Sequence, residues 1–284
     1  MIERGVKLFN LFKRMCALSP VKREMILPAI VAITLIGIVV FGPLLAPFDP
    51  YKPFPLDVLK PPSADHWFGT NSYGADVFSR VLYAAQLDIL LAVSGVLGGL
   101  IVSLPLGAAL GYYRGPLVTV ALRALDFVQS FPPFILAIAI ASFSGPDLIT
   151  VIFILVVLNI PIFTRLLRTE VQSLRGRAFV EAARCIGNSD ANVIIRHILP
   201  NALGAVIAQT SVNIGWALII TAGLSFVGAG LVPPTPEWGA MISEGAPYIL
   251  TGEWWVVAFP GASLCLTVLF FSVLGDFFAG RITK

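Results

Sequence analysis

Long apolar runs without a single charge, separated by short polar or proline-rich breaks, divide this chain. Residues 25–48 carry no charged side chain, and neither do 89–113, 127–146, 148–164 and 254–275. A sixth run lies within 197–236, where Pro200 and the cluster Pro233, Pro234 and Pro236 trim it to 202–227. A helix needs about 20 apolar residues to cross a hydrocarbon core about 30 Å thick, so the pattern predicts six transmembrane helices. The alternating segments of a membrane β-barrel are not found in the sequence. An all-α integral membrane protein is the class this implies. Composition agrees: 57% of residues are hydrophobic and 12% charged, against about 25% charged in soluble domains. That balance excludes an ordinary soluble enzyme and equally a disordered chain.

The placement of charge orients the helices. With the N-terminus cytoplasmic, sixteen of the 19 basic residues fall inside and only Lys52, Lys60 and Arg80 fall outside. Basic residues concentrate on cytoplasmic loops, so both termini are expected inside. The first run lacks a small-x-small cleavage pattern and reads as a retained anchor. The expected organisation is a cytoplasmic segment 1–24, a first helix 25–47, an extracytoplasmic segment 48–85, a core 86–276 and a cytoplasmic tail 277–284. Two long excursions interrupt the core, a cytoplasmic loop 165–201 and an extracytoplasmic loop 228–253, and loops of such length are usually functional. The net charge of +3 does not suggest a nucleic-acid partner. Cys16, Cys185 and Cys265 are too scattered for a disulfide framework or a metal site.

Within the cytoplasmic loop, residues 178–186 favour a short helix with Phe179, Ala183 and Ile186 on one face. Gly187 ends it, because glycine accepts the left-handed conformation that follows a helix. Asn188, Ser189 and Asp190 are candidate N-caps for a second helix over 191–198, which Pro200 limits. The result is a helix-turn-helix elbow. Such an elbow either lies in the headgroups or docks in a groove of a soluble partner.

The run Glu181-Ala182-Ala183, then Gly187, then His197-Ile198-Leu199-Pro200 resembles the EAA loop of ABC-importer permeases. His66-Trp67-Phe68-Gly69-Thr70-Asn71 with Gly74, Asp76, Ser79 and Arg80 is similar to an outer segment of the peptide and nickel branch of that family. Leu224-Ser225-Phe226-Val227-Gly228, Pro233-Pro234-Thr235-Pro236-Glu237-Trp238-Gly239 and the closing Gly275-Asp276 resemble further signatures of that branch. The resemblance covers residues 26–276 and implies an ABC importer (type I) permease fold. It implies ATPase coupling through Glu181, Ala182, Ala183, Gly187, Asp190, His197 and Pro200, against which Glu181 has the alternative of an ion pair with Arg177 or Arg184. The implied partners are a second permease subunit, two ABC ATPase subunits and an extracytoplasmic binding protein, besides membrane lipid. Trp67 and Trp238 are candidates to face the binding protein, whereas Trp254 and Trp255 read as interfacial anchors. The sequence departs from the branch at Gln86, Asp88 and Asn159.

No G-x-x-x-x-G-K-[ST] run occurs, so this chain has no phosphate cradle of that kind, and ATP with Mg is expected on the partner subunits. Asn159, Gln209, Asn213 and Thr221 are candidates to line a pathway, because amides in lipid need partners; hydrogen bonds between helices explain the three amides comparably, and a bond to the preceding turn explains Thr221. Gly95 with Gly99, and Gly107 with Gly111, read as helix-packing pairs. Arg123 and Asp126 read as a local ion pair, and Asp88 as an interfacial residue. The expected function is uptake of dipeptides or oligopeptides, with nickel or a metal chelate as the alternative cargo. An ion-coupled secondary transporter would show midplane carboxylates, broken helices and an internal repeat, and the sequence offers no clear case of any of them. A membrane enzyme would need groups that converge, and His66 and His197 fall on opposite sides of the membrane.

Overall fold

The computed structural model describes residues 20–282, with side chains described for 32–279. Its long helices are α1 (Pro20–Leu45), α2 (Val77–Tyr112), the pair α3 (Pro116–Ser130) and α4 (Pro133–Ser144), and α5 (Leu148–Arg175). There follow the short α6 (Ala178–Cys185), the long α7 (Asp190–Phe226), the short α8 (Trp238–Gly245) and α9 (Trp255–Ile282). Among the described residues α2, α5, α7 and α9 are each long and apolar enough to cross a membrane. The pair α3–α4 makes a fifth if counted as one span, and α1 contributes the apolar stretch Ala32–Leu45.

The run 127–146 is therefore not the single straight helix its hydropathy predicts. It is broken, with an 89° bend between α3 and α4. Consecutive prolines cause the break: Pro133 drives Pro132 out of the helical region and Pro132 does the same to Phe131, so both residues are extended (ψ 128° and 136°). Two boundaries also move. Pro200 does not close a separate helix, because a π turn over Val193–Ile198 precedes it and Pro200 opens the following α segment. At the start of a segment its missing N–H removes nothing the helix would use. At the other end α9 stays helical to Ile282, so residues 277–282 of the expected tail continue that helix. Most of the expected N-terminal segment 1–24, Cys16 included, lies outside the described residues.

The most extensive helix pair is α2 against α5, and glycine makes it possible. Gly95, Gly99, Gly107 and Gly111 form a stripe facing Leu155, Asn159, Leu167 and Val171 of α5. A Cβ added at these glycines would lie 2.3, 2.6, 2.5 and 2.7 Å from the Cβ atoms of those four residues, so the backbones approach as closely as absent side chains permit. Ser103, on the same helix, places its hydroxyl 2.7 Å from the Gly99 carbonyl and 3.0 Å from the Ile160 carbonyl of α5. Helix α7 packs across both, α9 packs on α7, and α1 leans on α2 and α9. Gln86 helps fix α1 by donating to the Val39 carbonyl at 3.0 Å.

Candidate functional site

At one end of the bundle the loop after α5 forms the expected elbow. Gly187 adopts φ +85°, and its N–H bonds the Arg184 carbonyl at 2.9 Å, closing α6. Ser189 is the cap of α7, its hydroxyl accepting from the Asn192 N–H at 3.4 Å. The buried face differs from expectation. Val180 and Ala183 point inward, packing with Ala108 and Tyr112 of α2, Val171 of α5 and Val193, Ile194 and Ile198 of α7, whereas Phe179 and Ile186 are exposed. Ala183 is thus committed to its own chain, and the side chains left exposed around α6 include Phe179, Glu181, Ala182, Arg184, Cys185 and Ile186. The ion pair of Glu181 with Arg177 or Arg184 is not formed among the described residues; Arg184 instead donates to the Tyr112 hydroxyl at 3.3 Å. Asp190 accepts from that same hydroxyl. His197 sits half-buried on the π turn, its carbonyl accepting from Asn201 Nδ2 at 2.7 Å. Pro200 is exposed.

In the middle of the bundle three of the candidate pathway residues meet. Gln209 donates to Asn213 Oδ1 at 2.8 Å, Asn213 donates to Asn159 Oδ1 at 2.9 Å, and Asn159 donates to the Leu155 carbonyl at 2.8 Å. Asn159 and Asn213 are buried, so this relay joins α5 to α7 within the chain rather than presenting a row of open amides. Thr221 does not join it; it is buried with an unpartnered hydroxyl. Asn213→Leu removes a partner from both neighbours and should destabilise the folded chain by about 1–2 kcal/mol. Steric-trapping or denaturant unfolding in detergent checks this, and an unchanged midpoint would contradict the relay's structural weight. On α3, Asp126 lies 3.7 Å from Arg123 as expected, but its closer partner is Arg165 of α5 at 2.5 Å.

The opposite end carries residues 48–76 and α8. His66 Nδ1 lies 2.9 Å from Asp76 Oδ1, and Asp76 caps α2 by accepting from the Ser79 N–H at 2.8 Å. Arg80 is buried and donates to the Pro50 and Pro234 carbonyls, both at 3.3 Å. This motif therefore stitches the segment onto the helix. Trp67 is 61% exposed, compatible with a surface role. Trp238 is only 1% exposed, which corrects the expectation that it faces outward: its N–H donates to Asp88 at 3.0 Å and its indole to the Val81 carbonyl at 3.3 Å. Asp88 is accordingly buried rather than interfacial. Glu237 caps α8, accepting from Gly239 and Ala240 N–H groups at 3.0 and 2.7 Å; burial pushes its carboxyl above the usual range, opposed by those bonds. Trp254 is exposed, but Trp255 is buried and donates to the Thr70 carbonyl at 3.2 Å, so only the first fits an interfacial anchor. Sequence reasoning missed Tyr112 and the Asp88–Trp238 contact; a tyrosine closing an apolar helix beside a basic loop was the available signal for the first.

The family described as "Binding-protein-dependent transport system inner membrane component" matches residues 103–284. The Dipeptide transport system permease protein DppC of Alkalihalophilus pseudofirmus is 38% identical over 90% of this chain and 84% of its own length. The Probable D,D-dipeptide transport system permease protein DdpC of Escherichia coli is 37% identical over 87% and 83%. The Glutathione transport system permease protein GsiD of Escherichia coli is 39% identical over 87% and 82%. The inward-facing MetNI methionine ABC transporter superposes with a TM-score of 0.59 at 19% identity, over 72% of this chain and 96% of that one, which establishes the fold. Taken with helices apolar enough to span a bilayer, these matches place the chain in the binding-protein-dependent inner-membrane family as a DppC-type ABC permease, a multi-pass transport component of the cytoplasmic membrane and not an enzyme.

Proposed function

We propose that this chain pairs with a second permease subunit to form the pathway through which an ABC importer takes up short peptides. In this reading the chain crosses the membrane six times, counting α1 and the bent α3–α4 pair, with both termini in the cytoplasm. The elbow docks on one of two ATPase subunits, which bind ATP and Mg. An extracytoplasmic binding protein delivers cargo at the end formed by residues 48–85 and 228–253, where Trp67 is available to it. The observation that carries the coupling role is the elbow itself: a short helix anchored by Val180 and Ala183 leaves Phe179, Glu181, Ala182 and Ile186 free on its outer side. An apolar helix face with one carboxylate suits a groove on a soluble partner. Peptide cargo is supported by relatives named for dipeptide, D,D-dipeptide and glutathione transport.

Reconstitution in proteoliposomes with the partner permease, the ATPases and the binding protein tests the proposal. ATP-dependent uptake of a labelled dipeptide should depend on loaded binding protein, and Glu181→Lys should lower it about tenfold by reversing one interfacial charge. Uptake that persists without any ATPase would show an ion-coupled transporter instead. Uptake of nickel but of no peptide would transfer the cargo assignment to the metal alternative.

A further inference from the structure

One aromatic ring holds the elbow to the membrane helices. Tyr112 is the last residue of α2 and is 4% exposed. Its hydroxyl donates to Asp190, the first residue of α7, and accepts from Arg184 Nε of α6 at 3.3 Å. The guanidinium of Arg184 lies 5.2 Å from the ring centroid, and that of Arg175, the last residue of α5, lies 5.5 Å from it. Val180 and Ala183 pack in the same cluster. Four elements thus converge on a single side chain. The covalent joints on either side of α6 are pliable by comparison: Gly176 leaves α5, Gly187 turns at φ +85°, and neither has an atom within 4 Å of where its Cβ would stand.

We infer that Tyr112 is a positioning residue for coupling, locking α6 to the ends of α2, α5 and α7 so that a displacement of the elbow moves those helices as one body. This inference rests on the docking role proposed for the elbow. A rigid link is what the geometry supplies: a swinging α6 would have to give up the contacts of Arg184 with both the hydroxyl and the ring, together with the packing of Val180 and Ala183, while Asp190 and Arg175 hold α7 and α5 to the same side chain. With the link intact, work done on the exposed face of α6 reaches the spans. Without it, the glycine joints absorb the motion.

Two measurements on two variants test the inference. Tyr112→Phe keeps the ring and removes the hydroxyl; Tyr112→Leu removes both. In the full chain in lipid nanodiscs, hydrogen exchange of residues 178–198 should quicken at least about tenfold for Tyr112→Phe, which loses the hydroxyl's two charge-assisted hydrogen bonds, and about a hundredfold for Tyr112→Leu. Unchanged protection in both variants overturns the inference, whatever the transport assay shows. In the complete assembly, Tyr112→Phe should raise the ATP hydrolysed per dipeptide imported about fivefold while the complex is recovered in normal yield, a split set by a coupling energy of ordinary size. A merely structural role would lower the yield and leave that ratio as in the wild type, and this outcome also overturns the inference. If the wild-type assembly shows no ATP-driven uptake, the transport reading fails, and the exchange result still decides whether Tyr112 is the link.

Discussion

Gly95→Leu should leave little correctly folded protein in the membrane. Two effects of opposite sign compete at this position. Replacing a helix-interior glycine improves intrinsic helix propensity by about 0.8–1.0 kcal/mol. Against that stands a contact with nowhere to go: a Cβ at residue 95 lies 2.3 Å from Leu155 Cβ, an atom fixed to the backbone of α5 and not the tip of a flexible side chain. Overpacking in a filled interior costs about 1–3 kcal/mol where neighbours adjust, and here α2 and α5 must separate along a seam that also carries Gly99, Gly107 and Gly111. The steric cost wins, and we expect a net loss of about 3 kcal/mol or more. Even Gly95→Ala should destabilise, and because the clash is with Cβ itself, Leu155→Gly should relieve it whereas Leu155→Ala should not. Gly37→Leu on α1, with no atom within 4 Å, is the neutral control. Thermal unfolding by size-exclusion in detergent reads all five variants; a Gly95→Leu protein as stable as the Gly37→Leu control would mean that the two helices do not pack as described.

That glycine seam was legible in the sequence because it depends only on local spacing: small residues four apart lie on one helix face whatever the partner. The left-handed Gly187 and the elbow around it were legible for the same reason. Where the outcome depended on a distant residue, the reading failed in identifiable ways. Phe179 and Val180 are adjacent and both apolar, so periodicity over eight residues could not say which is buried; Tyr112 and Val171, supplied by other helices, decide for Val180. Trp238 reads as a surface aromatic until Asp88, 150 residues earlier in the chain, is seen accepting its N–H. The break at Phe131 and Pro132 is the opposite case, since both prolines were in plain view but the apolar count over 127–146 outweighed them. The amide relay is intermediate. A hydrogen bond between helices was an explicit alternative for Asn159, Gln209 and Asn213; the geometry bears it out for Asn159 with Asn213, whereas Gln209 bonds Asn213 within α7.

Asp76→Ala should unfasten residues 48–76 from the start of α2. The carboxylate is 1% exposed and every bond it makes is short: 2.8 Å from the Ser79 N–H, 2.7 Å from the Ser79 hydroxyl and 2.9 Å from His66 Nδ1. The same hydroxyl accepts from the Phe48 N–H at 3.1 Å, and the His66 ring lies against Phe48 with centroids 4.9 Å apart. One side chain therefore caps a helix and also anchors the chain that leads into it. Loss of an N-cap alone costs about 0.5–2 kcal/mol. Removing this carboxylate also strands His66 and Ser79 in the interior, where each unpaired group costs about 1–3 kcal/mol. What remains to hold the segment is its backbone bonds, the Arg80–Pro50 and Trp255–Thr70 contacts and the stacking of Phe68 on Phe259, which fix its far side but not its junction with α2. The expected result is rapid proteolytic cleavage within 48–76 while α5 and α7, which among the described residues share no hydrogen bond with His66, Asp76 or Ser79, stay protected. Asp76→Asn should be milder, because an amide oxygen still caps Ser79. Equal cleavage rates in wild type and Asp76→Ala would mean that the segment is held by its apolar contacts alone. A selective loss would show that the polar residues of this motif build the platform at this end of the permease, leaving any contact with a delivered protein to exposed neighbours such as Trp67.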